Sequence, residues 1–205
     1  MTEEEVKKFL KEKTEVLGEI SERAHSIHDA VNQTYESYPY GYHLDRVTGA
    51  VIDYLAPVCT DEEDILPVIF GSYFHDSIED ARLTYSDVKN EALKFFSEEK
   101  ALLATEIVYA LTNEKGRTRE ERAGERYYSL IRETPYAPFV KACDRFANMN
   151  HSFWKEDKFD LKMRKVYSDE MEHFLQGVKS PHAESDPRFS IPEELIQKMN
   201  DLVKG

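Results

Sequence analysis

Apolar residues recur at three- and four-residue steps along nearly the whole chain, the period of an amphipathic helix. Over residues 3–33 the set Val6, Phe9, Leu10, Val16, Leu17, Ile20, Ala24, Ile27 and Val31 predicts one long helix. The Tyr38-Pro39-Tyr40-Gly41 turn ends it, and a second helix is predicted from about His43 to Val58. Thr60-Asp61-Glu62-Glu63 reads as a capping box, with Thr60 as N-cap and Glu63 reaching back. The helix it opens runs to about His75 or a little beyond, and Pro67 lies too deep for its first turn, which predicts a kink. Thr84-Tyr85-Ser86-Asp87 caps a short helix, and further helices are predicted near 98–112, 119–133, 136–151, 160–176 and 191–203. No run alternates with β-branched residues, so no strand is predicted. The loosest segment is Ser180 to Pro192, with Pro181, Pro187 and Pro192, tying a last helix to the body. The expected fold is all-α, a single-domain helical bundle over residues 1–205.

Composition narrows the function classes. At 205 residues the chain can bury a sizeable core. A formal charge of −13 and a pI near 5.0 argue against a nucleic-acid backbone or an anionic membrane as the main partner. A phosphorylated ligand would need positive charge supplied locally, by a metal or a few placed Lys and Arg. The two cysteines, Cys59 and Cys143, have no CxxC spacing, which fits a reducing compartment and excludes a cysteine-built zinc site. No secretory signal or apolar run of transmembrane length occurs, so a soluble, cytoplasmic protein is expected. Oligomeric state is not legible.

Chemistry concentrates in Phe74-His75-Asp76-Ser77-Ile78-Glu79-Asp80. A His beside an Asp offers a divalent metal one neutral nitrogen and one anionic oxygen, a mixture suited to Mn²⁺, Fe²⁺ or Zn²⁺. On a helix, Glu79 falls three residues past Asp76 and four past His75, on their face. The preceding stretch, Ile65 to Phe74, is apolar enough to lie inside the bundle, so His75 and Asp76 need something to satisfy them. His43 stands at a helix start, and Asp144 interrupts the apolar run Val140 to Met149. A buried carboxylate there costs several kcal/mol unless paired or metal-bound. Together they make a two-His, two-Asp set with room for water on the metal.

The order His43, His75-Asp76, Asp144 resembles that of the HD phosphohydrolases, an all-helical metal-dependent superfamily. The blocks Pro39-Tyr40-x-x-His43, Phe74-His75-Asp76-x-x-Glu79-Asp80, Leu111-Thr112-Asn113-Glu114-Lys115 and Lys141-Ala142-Cys143-Asp144-Arg145-x-x-Asn148 are similar to the hydrolase domains of RelA/SpoT-type enzymes. The likeness extends to stand-alone small alarmone hydrolases, which remove the 3′-pyrophosphate of (p)ppGpp, and spans about residues 24–151. It implies one metal, typically Mn²⁺, on His43, His75, Asp76 and Asp144. It makes Glu79 and Asp80 the acids that position or deprotonate the attacking water. Lys115, Arg119 and Arg122 fall where a basic loop and helix reach the phosphates, and Asn148 near the ribose and scissile phosphate. Arg145 is expected to steady a carboxylate. Alternatives are an HD-type phosphatase on NADPH, a 3′-phosphoadenosine compound or a 5′-nucleotide, or a non-catalytic nucleotide-binding or antitoxin-like module.

The chain departs from that pattern in two places. Leu44 follows the first metal His where Pro is usual. The segment His28 to Tyr38 carries no Lys or Arg, where relatives use basic residues to read guanine. Tyr35, Tyr38 or Asn32 would then make neutral contacts, or Arg23 or Arg46 would fill the gap. His25 and His28 could chelate by spacing but lack a carboxylate; a substrate or core contact for His28 is the expectation. His151 follows the Asp144 helix and could lie near the pocket mouth, though that is the lesser expectation, while His173 and His182 read as surface residues. Tyr127 and Tyr128 could stack on a base, although core packing is their default. The Trp154 region reads as packing.

Overall fold

This computed structural model describes residues 1–113, 118–122, 124–154 and 158–204. The fold is all-α. Helix α1 (Glu3–Glu12) opens on a Thr2–Glu5 capping box, and α2 (Thr14–Asp29) follows after a break at Lys13. The predicted single helix is thus two. At the break the Thr14 hydroxyl turns back onto the Lys11 carbonyl at 2.9 Å, a local bond that competes with the helical ladder. Past α2 the chain makes a short hairpin, β1 (Thr34–Tyr35) against β2 (Tyr38–Pro39), pairing Thr34 with Pro39 and Tyr35 with Tyr38. Strands of two residues are too short to leave an alternating pattern, which is why none was predicted.

Helix α3 (Gly41–Tyr54) begins two residues before His43. A Cβ on Gly41 would meet the His25 ring at 2.8 Å, so the residue lets α2 and α3 approach. A 3₁₀ turn at Glu62–Asp64 leads into α4 (Ile65–Phe74) and is capped by Asp61 rather than Thr60, with Asp61 Oδ1 accepting from the Glu63 amide. Because α4 starts at Ile65, Pro67 falls in its first turn. A missing N–H there breaks no helical bond.

Helix α4 is apolar on every side and sits between two cores. Ile65, Val68 and Ile69 join the larger core, formed with α3, α6 (Glu98–Leu111), α8 (Glu125–Glu133), α9 (Ala137–Trp154), α10 (Lys158–Val178) and α11 (Glu193–Lys204). Phe70 and Phe74 join the smaller one, with α2, α6 and α5 (Tyr85–Ala92), the last capped by Thr84 and Asp87 as expected. The predicted helix near 119–133 is two, α7 (Arg119–Arg122) and α8.

The stretch before α11 is tied down. Tyr136 donates its amide to the Arg188 carbonyl at 2.6 Å and its hydroxyl to Asp64 Oδ2 at 2.7 Å, and Ser180 Oγ donates to the Arg132 carbonyl. Cys59 and Cys143 are buried and free. Trp154, at the end of α9, is exposed. Among the described residues no helix is long and apolar enough to cross a membrane.

Candidate metal centre

The start of α3, the end of α4 and the middle of α9 bring His43, His75 and Asp144 together, all buried. One ligand atom from each lies within 4.8 Å of the others. The two imidazoles face each other through Nε2 at 3.3 Å. Asp144 Oδ1 is 3.4 Å from His43 Nε2 and 3.7 Å from His75 Nε2. His75 Nδ1 lies 2.8 Å from the Ser72 carbonyl, which can only accept, so that nitrogen carries a proton. Its Nε2 then points a lone pair at the cluster when the ring is neutral. Donating the far ring nitrogen to a carbonyl is how proteins fix a metal-binding histidine. Two nitrogens and a carboxylate oxygen facing one point form a donor set that suits a divalent cation. His43, His75 and Asp144 could therefore hold a metal ion.

Asp76 borders this trio. Its Oδ2 is 2.8 Å from His75 Nε2 and 3.6 Å from His43 Nε2. Residues 75–80 form a turn rather than a continuation of α4, with one helix-like bond from the Asp80 amide to the Asp76 carbonyl. The turn separates the acidic pair. Asp80 stays beside Asp76, their Oδ2 atoms 2.8 and 2.6 Å from the same Tyr40 hydroxyl, while Glu79 swings out to accept from Asn113 Nδ2 at 2.8 Å. Burial and the nearby Asp76 charge raise the Asp80 carboxyl.

A second layer holds the trio in place. Lys141, three residues before Asp144 on α9, reaches its Oδ2 at 2.9 Å. Asn148, four residues after, donates Nδ2 to Oδ1 at 2.7 Å and accepts from Tyr35 at 2.8 Å. The Tyr35 ring lies flat on His43, 4.8 Å between centroids. Burial disfavours the Asp144 charge, but Lys141, His43 and His75 together outweigh it and keep the carboxyl well below the usual range. Burial likewise pulls His43 down, yet hydrogen bonds to Asp144 and Asp76 raise it to about 9.

The site opens into a cavity of about 510 Å³ with Tyr35, Tyr40, Tyr127, Tyr128 and Tyr167 on its walls. Asp76, Glu79, Asp80, Asp144, Asp169 and Glu170 also line it, against Arg122, Lys141 and Arg145. Lys141 is committed to Asp144, and Arg145 to Glu170 at 3.0 Å while it stacks on Tyr167 and Phe174. A phosphate entering this acidic space needs a cation.

The remaining expected residues divide. Asn148, Glu79, Asp80 and Arg122 line the cavity. Lys115 lies outside the described residues, as does the side chain of Arg119. His28 is fully buried beneath Tyr40, ring on ring at 4.4 Å, with neither nitrogen hydrogen-bonded, and burial lowers it to about 4. Arg23 is paired with Glu91, and Arg46 packs over Tyr42. Neither lines the cavity. His151 is buried rather than at a pocket mouth. Roles for Lys141, Tyr40 and Asn113 were not assigned from sequence. The i, i+3 spacing of Lys141 and Asp144 was the available signal for the first; Tyr40 and Asn113 reach the site only through tertiary contacts. No protein-family model matches the sequence, and a search of curated proteins finds no match.

Proposed function

We propose that the chain is a metal-dependent phosphohydrolase of a phosphorylated nucleotide, with (p)ppGpp the leading substrate, cleaved to GDP or GTP and pyrophosphate. The observation that carries this reading is the buried His43–His75–Asp144 trio at the edge of an aromatic-walled cavity, with Asp76 and Asp80 beside it. Asp76 would complete the ligand set. A divalent ion there, Mn²⁺ by the resemblance, would polarise a phosphoryl oxygen and acidify water.

The chain's own residues supply the rest. Asp80, held by Tyr40, takes up the proton of the attacking water, and Glu79, held by Asn113, orients that water. Arg122 at the cavity, with Lys115 and Arg119 by the resemblance, neutralises phosphate charge. Lys141 and Asn148 keep Asp144 ionised and aimed. The tyrosine walls offer flat faces to a base and are tolerant of which base it is.

Incubation with Mn²⁺ and a panel of ppGpp, pppGpp, NADPH, 3′-phosphoadenosine compounds and 5′-nucleotides tests the proposal. Release of pyrophosphate from the alarmones, abolished in Asp144→Ala together with metal content, is the expected result. Tight ppGpp binding with no product from any member, metal bound, would overturn it in favour of a binding module.

A further inference from the structure

A second cluster of metal-capable side chains lies where the hairpin meets α9 and α10, made by Glu36, His151 and Asp160. We propose that it is a second divalent-cation site, separate from the His43–His75–Asp144 centre, for a metal that accepts mixed imidazole and carboxylate ligands such as Zn²⁺ or Mn²⁺.

Several observations support it. One ligand atom from each residue lies within 4.8 Å of the other two, a spacing that small side-chain shifts close around a cation. His151 is 1% exposed; its Nε2 stands 3.1 Å from Glu36 Oε1 but is not aligned with it as a hydrogen bond. A buried nitrogen close to a carboxylate without sharing a proton is what a cation between them requires. The other ring nitrogen, Nδ1, lies 3.2 Å from the Tyr42 hydroxyl, so it can donate there and leave Nε2 its lone pair. In addition, Glu36 adopts φ 52, an uncommon backbone for a non-glycine residue, at the hairpin position that turns its carboxylate toward His151. Asp160, fully buried in the first turn of α10, brings the second carboxylate.

A cation here would clip the hairpin to both helices. Tyr35, the residue before Glu36, stacks on His43 and bonds Asn148, so the second site would hold one wall of the first in place.

Metal content of the full-length protein, dialysed against Zn²⁺ or Mn²⁺ and measured by elemental analysis and calorimetry, tests the assignment. Wild type is expected to bind two equivalents. Glu36→Gln, a change at an exposed position, is expected to weaken one of them at least tenfold, and Asp160→Asn to do the same. His75→Ala should lose the other equivalent and keep this one, so failure of the catalytic centre and failure of this site read out separately. The proposal is overturned if wild type binds no more than one equivalent and Glu36→Gln leaves it unchanged. It is equally overturned if two equivalents bind with undiminished affinity in both Glu36→Gln and Asp160→Asn.

Discussion

Asn148 Nδ2 lies 2.7 Å from Asp144 Oδ1, the same oxygen that faces both His43 and His75. The amide has no freedom to flip, because its oxygen accepts from Tyr35. Asn148 therefore positions a carboxylate that could hold a metal, as well as lining the cavity. Asn148→Ala is expected to weaken metal binding 10- to 100-fold, the usual cost of losing an outer-shell partner. Tyr35→Phe, which frees the amide without removing it, should fall between wild type and Asn148→Ala. Competition against a chelator of known affinity measures both. A kcat loss in Asn148→Ala that saturating metal does not reduce would instead favour a direct substrate contact.

Tyr40 holds Asp76 and Asp80 through one hydroxyl. With that hydroxyl gone, Asp80 loses its anchor while the ring still packs on His28. Tyr40→Phe is expected to lower kcat by about 10- to 100-fold, with KM changed little. Steady-state kinetics on whichever panel member is turned over provides the check. An unchanged kcat would remove Asp80 from the proton-transfer role.

His28 yields a pH prediction. It stays neutral when folded, with burial lowering it to about 4, whereas in the unfolded chain it titrates at 6.5. Between those values the unfolded state binds more protons, so stability is complete above about pH 6.5 and declines as pH falls toward 4. The loss is on the order of 2–3 kcal/mol. His28→Phe keeps the ring and removes the titration, so wild type minus variant should slope over that window in urea melts. The same variant should leave kcat/KM within about twofold; a larger fall would restore His28 as a substrate contact.

Helices α4 and α6 meet at Gly71, where a Cβ would lie 2.7 Å from Ile107 Cγ2. Gly71→Ala is expected to cost about 1–3 kcal/mol through overpacking. Adding Ile107→Ala, which removes the clashing Cγ2, should cost less on the Gly71→Ala background than it does alone in thermal unfolding. Independent, additive losses would show that the contact is not the cause.

Base selectivity is expected to be loose. The His28–Tyr38 segment carries no Lys or Arg, and Arg23 and Arg46 are engaged outside the cavity. Each missing charge-assisted contact is worth about 1.5–3 kcal/mol. The ratio of kcat/KM for ppGpp and its adenine counterpart measures the discrimination. A guanine preference above about a thousandfold, roughly 4 kcal/mol, would show that neutral contacts suffice.

The sequence carried the metal trio because burying His75 and Asp144 in apolar helices is costly, and that cost is visible in one dimension. It carried most helices for the same reason, since amphipathic period marks a core face. What it did not carry was set by single residues or tertiary contact. The Lys13 break and the Asp61 cap turn on local hydrogen bonds that several neighbouring polar residues could equally have made. The hairpin is two residues per strand, below any pattern length. A continued helix would have put Glu79 on the face of His75 and Asp76; the turn after Phe74 instead brings Asp80 to Tyr40 beside Asp76 and sends Glu79 to Asn113.

Trp154 is the chain's single tryptophan, and it stands in solvent one helical turn beyond His151. Its emission will already be red-shifted in the native protein, so it reports poorly on global unfolding, which the tyrosines must follow instead. What it can report is its own corner of α9. A quenching ion such as Co²⁺ or Cu²⁺ seated at His151, three residues away on the same helix, would dim it, which gives that corner of the fold an optical readout.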